Sequence, residues 1–353
     1  MAIVKTYFKD FLQNIRMTKS QNDDCAEGHR VLRDRLANDD DLKDIIIGTF
    51  LQGSYKRHTA IRPTEGEGKS DVDVIVVTNL DSTKVSPNDA LEKFRPFLKK
   101  HYDGKFRRQG RSWGIELSYV DLDLVVTSAP SEVTKNAYGS FYAFDDSLFV
   151  EAKSEWQSEP LLIPDREAGK WDKTHPLAQI LATLTKNRQT DGHYINVVKS
   201  IKWWRKALHP EPKHPKSYPL EHLIWTVCPN SIQSVAEGIV QTFEHIRDDY
   251  RWYVTYNTKP RLPDHGVPEH DVFARVTNEE FAAFYELACA AAKTAREAYD
   301  EEDIAKSVGK WRELLGDKFP EPPDDSSGGN GNPNGGGYTP RQAPSIIGGG
   351  RFA

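Results

Sequence analysis

The chain has 353 residues, 38% of them hydrophobic, which is enough for one large domain or two ordinary ones around a substantial core. Its formal net charge of −5 argues against a stable nucleic-acid partner held mainly through phosphates, because the basic clusters are short, at residues 105–108 and 202–206. No apolar run approaches a bilayer span and the first ten residues lack a signal-like core, while Cys25, Cys228 and Cys289 form neither a disulfide framework nor a zinc pattern, so a cytoplasmic protein without membrane contact is expected.

Residues 3–16 read as a short amphipathic helix. Thr18 or Ser20 can cap a second, in which Cys25, Leu32 and Leu36 fall on one stripe. After the acidic turn Asp39-Asp40-Asp41, residues 45–51 read as a buried strand that ends at Gln52-Gly53-Ser54. A polar loop, 63–70, leads into Asp71-Val72-Asp73-Val74-Ile75-Val76-Val77, a second strand by its β-branched run. Side chains alternate along a strand, so Asp71 and Asp73 share one face, about 6–7 Å apart, and the valines at 72, 74 and 76 take the other. Paired acids at the mouth of an apolar strand are costly unless a cation lies between them, which predicts a Mg²⁺ site for phosphoryl transfer. Residues 87–102 read as a helix with Leu91, Phe94 and Leu98 in phase, opened by Ser86 as N-cap and Pro87 in the first turn.

Residues 105–127 predict a strand pair whose long member, 115–126, carries Asp121 and Asp123 on one face. The apolar phase shifts from odd to even positions along it, so a bulge or change of burial near Asp121 is expected, and alternation does not choose between the two acids. Residues 129–174 are less regular and are read as a lid or linker. From about residue 175 the pattern turns helical, with segments at 176–186, 194–208, 220–227, 232–253, 279–299 and 303–315. Strands first and helices after predict an α+β catalytic core over 1–174 and a helical half over 175–320. Residues 321–353, rich in glycine, asparagine and proline, read as a flexible tail.

Single signals here are weak. A lone Gly-Ser is usually an ordinary turn, though at a strand end it also lets backbone N–H groups approach a phosphate. The pair Asp264-His265 and His270-Asp271 has metal-ligand residue types without zinc spacing and reads as a hinge or surface loop. Gly66-Glu67-Gly68-Lys69-Ser70 hints at a P-loop, but acids follow it where a helix should, and it reads as a loop.

The combination is stronger than its parts. Gly53-Ser54, then Asp71-Val72-Asp73, then Asp123-Leu124-Val125 on a later strand resembles the nucleotidyltransferase superfamily typified by DNA polymerase beta. Residues 49–54, Thr59-Ala60-Ile61, 122–130, 162–166, His175-Pro176-Leu177-Ala178, Lys202-Trp203-Trp204-Arg205, 218–223 and 311–320 look like the bacterial relatives of cyclic GMP-AMP synthase. Those are the cyclic-oligonucleotide synthases of anti-phage signalling, and the likeness is nearest to their clade D. One departure from the broad superfamily is the long interval between Ser54 and Asp71.

The resemblance implies a polymerase-beta-like core with a mixed sheet, packed against a C-terminal helical domain. It implies an enzyme using two Mg²⁺ ions, with Mn²⁺ as a substitute, that joins ATP and GTP into a cyclic trinucleotide. Asp71, Asp73 and Asp123 would hold the metal, Asp123 being preferred to Asp121 because the family motif places its third acid directly before Leu-Val. Gln52, Gly53 and Ser54 would bind phosphates, Lys202 or the neighbouring Lys199 the triphosphate, Ser217 a phosphate and Tyr218 a base. Without the family context, either lysine reads as a solvated helix residue and Tyr218 as a core aromatic. Implied partners are an effector that senses the cyclic product and a ubiquitin-like E1/E2-type partner that conjugates Ala353; the plain reading of the tail is a frayed end. Two rival readings remain, a linear-oligonucleotide or tRNA-end nucleotidyltransferase and a catalytically silent nucleotide-binding regulator. A phosphatase-resistant product made without RNA separates the first, and metal-dependent pyrophosphate release the second.

Overall fold

In the computed structural model, which describes residues 2–64, 68–139 and 159–323, the β-branched segments pair into one seven-stranded sheet. Its centre is β1 (Ile46–Gln52), β2 (Asp71–Thr78) and β5 (Asp121–Ser128), followed by β4 (Trp113–Glu116) and β3 (Phe106–Arg108). β1 runs antiparallel to β2, β2 parallel to β5, and β5–β4 and β4–β3 are antiparallel, so the sheet is mixed. A parallel pair needs a crossover. Residues 79–120 supply it, through α4 (Pro87–Glu92), α5 (Arg95–Tyr102), β3 and β4. The β6 (Leu161–Asp165) and β7 (Lys170–Thr174) hairpin joins β5 where Ser128 meets Leu162.

Apolar packing on both faces holds β2 and β5 rigid beneath the acids. Val72, Val74, Val76, Leu122 and Leu124 share a buried cluster with Leu32 and Leu36 of α2 (Lys19–Ala37) and Leu98 of α5. On the opposite face Ile75, Val77 and Val125 pack with Phe50 and with Leu177 and Ile180 of α7 (Pro176–Gln189). The face that carries Asp71 and Asp73 therefore turns apolar at Ile75, leaving the acids at the strand's open end.

A second core belongs to helices. α1 (Ala2–Ile15), α8 (His193–Trp203), α9 (Ser217–Val227), α10 (Val235–Asp249), α12 (Asn278–Asp300) and α13 (Ile304–Leu315) contribute Phe11, Ile201, Leu223, Phe243, Phe284 and Trp311 to one cluster. Phe8 of α1 meets Trp311 of α13 edge-on at 4.9 Å, so the first helix packs with the last. Burying each such side chain contributes about 1.5–3 kcal/mol. Residues Met1–Pro322 form one compact unit. Among the described residues no helix is long and apolar enough to cross a membrane.

Four expectations are revised. The helix over 87–102 is two helices, because Pro96 has no N–H to donate to the Glu92 carbonyl and instead sits in the first turn of α5. The strand over 115–126 is two strands that reverse through a turn closed by Leu117 N–H to Val120 O at 3.0 Å, so the shift of apolar phase marks a reversal and not a bulge. The segment read as a lid or linker contains the β6–β7 hairpin, and its residues 140–158 lie outside the described residues. The helix over 232–253 breaks near Tyr250 into α10 and a short α11 (Arg251–Thr255). The Thr18 cap is present with a full capping box to Gln21, and Ser86 caps α4 through Asp89 N–H. Residues 65–67 of the polar loop and nearly all of the tail, Ala353 included, also lie outside the described residues.

Candidate active site

The parallel register of β2 and β5 sets Asp71 beside Asp121 and Asp73 beside Asp123. All four acids thus point to one face, and the surroundings then separate them. Asp121 is held by Lys69, whose ammonium lies 3.2 Å from Asp121 Oδ1. Asp71, Asp73 and Asp123 each offer an oxygen within 4.8 Å of the others, the only such group among the described residues. Asp123 Oδ1 also accepts a hydrogen bond from Gln109 Nε2 at 3.0 Å.

Three carboxylates this close repel one another. Burial, with the charges of Asp73 and Asp123, pushes Asp71 up to about 8. Burial and Asp123 push Asp73 up to about 6, against the pull of Arg57 and a hydrogen bond from Gln52. Burial also raises Asp123, which Gln109 and Arg107 partly offset. A hard divalent cation fits this donor set: an all-oxygen cluster whose charged form the protein alone disfavours.

Gly53 brings the chain against these acids. It stands at φ +72°, and a Cβ there would lie 1.8 Å from Asp73 Oδ2, so neither the conformation nor the space admits a side chain. From it springs a single helical turn, α3 (Gly53–Lys56), that carries Ser54 into the cavity. That cavity, of about 630 Å³, is lined by Gln52, Gly53, Ser54, the three acids, Lys202, Ser217 and Tyr218, so nine of the ten nucleotide- and metal-binding residues expected from sequence share one site. Lys199 does not line it; it lines a separate cavity behind α3.

The buried centre behind the site was not evident from sequence. Glu221 of α9 accepts hydrogen bonds from Arg57 Nε at 3.1 Å, Thr59 Oγ1 at 2.8 Å and Lys202 Nζ at 2.6 Å. Lys202 Nζ also reaches Thr59 O at 3.1 Å. Burial alone would raise the Glu221 carboxyl, but Arg57 and Lys202 overcome it and hold it down at about 2. Lys202 is thus a buried strut as well as a lining residue: an ammonium has three donors, and two are engaged here.

Tyr218 is fixed at both ends. Its hydroxyl donates to Asp264 Oδ2 at 2.6 Å, and the Arg57 guanidinium lies 5.2 Å from its ring centre. Burial and the Asp264 charge push the phenol well above its ordinary value. Asp264 is buried and accepts from Gln179 Nε2 at 3.0 Å and from the backbone N–H of Gly266 at 2.9 Å. The stretch read as a hinge or surface loop is therefore an internal brace for Tyr218. Only a long-range contact reveals this, since nothing near Asp264 in sequence names Tyr218 as its partner.

A family model described as the Second Messenger Oligonucleotide or Dinucleotide Synthetase domain matches residues 1–138. The chain is 45% identical to a cyclic AMP-AMP-GMP synthase of Enterobacter hormaechei subsp. hoffmannii, over 98% of each chain. It is 32% identical to a cyclic AMP-AMP-AMP synthase of an Acinetobacter species, covering 89% of this chain and 84% of that one. Among solved structures it is similar to Escherichia coli MS115-1 CdnC with ATP, at a TM-score of 0.65 and 17% identity over 90% of this chain and 98% of that one, a likeness of fold.

Proposed function

Because the chain belongs to the bacterial family of cyclic-oligonucleotide synthases, nucleotidyltransferases of the cyclic GMP-AMP synthase type, we propose that it joins ATP and GTP into a cyclic trinucleotide that signals phage infection. The observation that carries the reading is the clustering of Asp71, Asp73 and Asp123 within 4.8 Å at the edge of a cavity entered by Gly53 and Ser54. Two Mg²⁺ ions held by these acids, or Mn²⁺ in their place, would supply charge neutralisation at the triphosphate.

The chain's own residues do the rest. Asp123, whose Oδ1 accepts from Gln109, would take the proton of an attacking ribose hydroxyl or orient it. The backbone at Gly53, the Ser54 hydroxyl and the Gln52 side chain line the cavity where phosphates would lie. Lys202 keeps one N–H donor for the triphosphate after serving Glu221 and Thr59. Ser217 opens α9 at the cavity wall and would donate to a phosphate, while Tyr218, braced by Asp264 and Arg57, offers its ring to a base. Each bond would form by attack of a ribose hydroxyl on an α-phosphate with pyrophosphate leaving.

The relatives named as AMP-AMP-GMP and AMP-AMP-AMP synthases support a three-membered ring over a dinucleotide. A cytoplasmic setting, an effector that reads the product and an E1/E2-like partner for Ala353 complete the proposal. Mass spectrometry of the phosphatase-resistant product made from ATP and GTP with Mg²⁺ tests it. A cyclic trinucleotide is expected; a linear product, or one that requires added RNA, would overturn it.

A further inference from the structure

Gln179 lines the catalytic cavity together with Tyr218, yet the proposed synthesis gives it no part. It stands in the first turns of α7, a helix anchored by Leu177 and Ile180 in the cluster that holds Ile75 and Val125. The loop that carries Asp264 closes on the same stretch. A Cβ on Gly266 would lie 2.3 Å from the Cβ of His175 and 2.8 Å from that of Ala178, so only glycine fits there.

Asp264 fixes the direction of the Gln179 amide. Its Oδ1 accepts the backbone N–H groups of Gly266 at 2.9 Å and Val267 at 3.2 Å. Its Oδ2 accepts the Tyr218 hydroxyl at 2.6 Å and Gln179 Nε2 at 3.0 Å. Four donors thus meet a carboxylate that has only acceptors to offer. Turning the amide over would set its carbonyl oxygen against Asp264 Oδ2, two acceptors face to face, so the orientation is held. That carbonyl oxygen, Gln179 Oε1, makes no hydrogen bond with any described residue and stays accessible to solvent. Because the phenol and the amide meet on one carboxylate oxygen, Oε1 lies within about 8 Å of the Tyr218 hydroxyl. The edge of a purine stacked on the ring comes within its reach.

We propose that Gln179 selects the base that rests on Tyr218, its Oε1 accepting the 6-amino group of adenine and turning guanine away. The inference rests on the proposed nucleotide joining, with Tyr218 as the base platform. Adenine carries an N–H donor at position 6, where guanine carries a carbonyl acceptor. A fixed acceptor completes a hydrogen bond with the first and opposes the lone pairs of the second. An amide free to turn over would serve either base; one clamped by Asp264 serves one.

Two deletions are paired to test it, one on the enzyme and one on the nucleotide. Purine riboside 5′-triphosphate lacks the 6-amino group of ATP but keeps its ring, sugar and phosphates. Binding of both is measured by calorimetry with Mg²⁺ in the full chain made inactive by Asp123→Asn, with and without Gln179→Met, which keeps the side chain's length. ATP should bind about five- to tenfold more tightly than purine riboside triphosphate, and Gln179→Met should erase that gap by weakening ATP alone. Unchanged binding of purine riboside triphosphate also shows that the variant is folded. A preference for ATP that survives Gln179→Met overturns the assignment, and so does an equal loss of both nucleotides, since Gln179 would then only shape the wall. In active enzyme given equal ATP and GTP, Gln179→Met should raise the guanine content of the product, read by mass spectrometry; an unchanged composition overturns selection. A wild type that binds ATP with this preference yet makes no nucleotidyl product overturns the proposed synthesis and leaves the base site standing.

Discussion

At Asp71 burial and the neighbouring carboxylates of Asp73, Asp123 and Asp121 act in one direction, so its acid is pushed up to about 8 in the fold, against about 3.9 in an unfolded chain. A raised carboxyl stabilises the fold fully below its unfolded pKa and loses that contribution as pH rises through the folded value. Asp73, at about 6, adds the same sign over a lower range. In chelator, the midpoint of thermal unfolding should therefore fall as pH climbs from 4 towards 8 through these two groups, and Mg²⁺ should restore most at the alkaline end. Calorimetry across that range checks it, and a Mg²⁺ effect independent of pH would count against the metal site. Asp71→Asn or Asp73→Asn should abolish product while leaving the chelated protein no less stable, since each removes a repulsion. Gly53→Ala takes the opposite course. Its Cβ would collide with Asp73 Oδ2 in a backbone state alanine resists, so about 1–3 kcal/mol of stability and nearly all synthesis should go together, read by denaturant unfolding and pyrophosphate release.

The pairing of whole elements decides which acids matter. Alternation within β2 was enough to put Asp71 and Asp73 on one face, but alternation within β5 does not separate Asp121 from Asp123, and only the resemblance, through the Leu-Val that follows Asp123, favoured one of them. Two long-range facts separate them: the register that sets Asp123 beside Asp73, and Lys69, which holds Asp121. Asp123→Asn should end synthesis, whereas Asp121→Asn, which loses only a half-exposed ion pair, should cost far less, about threefold or under. Steady-state pyrophosphate release compares them. The join between α9 and the segment after β1 was equally hidden, because Leu220-Glu221-His222-Leu223 looks like any amphipathic helix and Arg57 is remote in sequence. Glu221→Gln would leave Arg57 and Lys202 buried and underpaired. A loss of about 3–5 kcal/mol in urea unfolding is expected, with the cavity wall and activity lost alongside. A stability close to wild type would show that water can replace the carboxylate.

Across the whole molecule, the order of strands and helices was legible because each leaves its own period in the chain, 2 for β2 and near 3.6 for α12. Boundaries failed where a single residue overrode the period, as Pro96 does between α4 and α5, or where a turn reversed it, as 117–120 does between β4 and β5. The packing of α1 beside α13 had no local mark at all, since the contact of Phe8 with Trp311 joins the two ends of the compact unit. That contact bears on how the tail can be removed. Every residue assigned a part in synthesis lies within Met1–Pro322, and α13 together with Phe319, which packs on Phe8 at 5.1 Å, completes the helical core just before the cut. A chain ending at Pro323 should therefore keep its synthesis rate within about twofold, because every core side chain named among the described residues lies before the cut. It should also lose all covalent attachment through Ala353 when incubated with an E1/E2-like partner and ATP. A matching loss of synthesis in the shortened chain would place the tail in the catalytic machinery, and attachment that persists would place the acceptor carboxyl elsewhere.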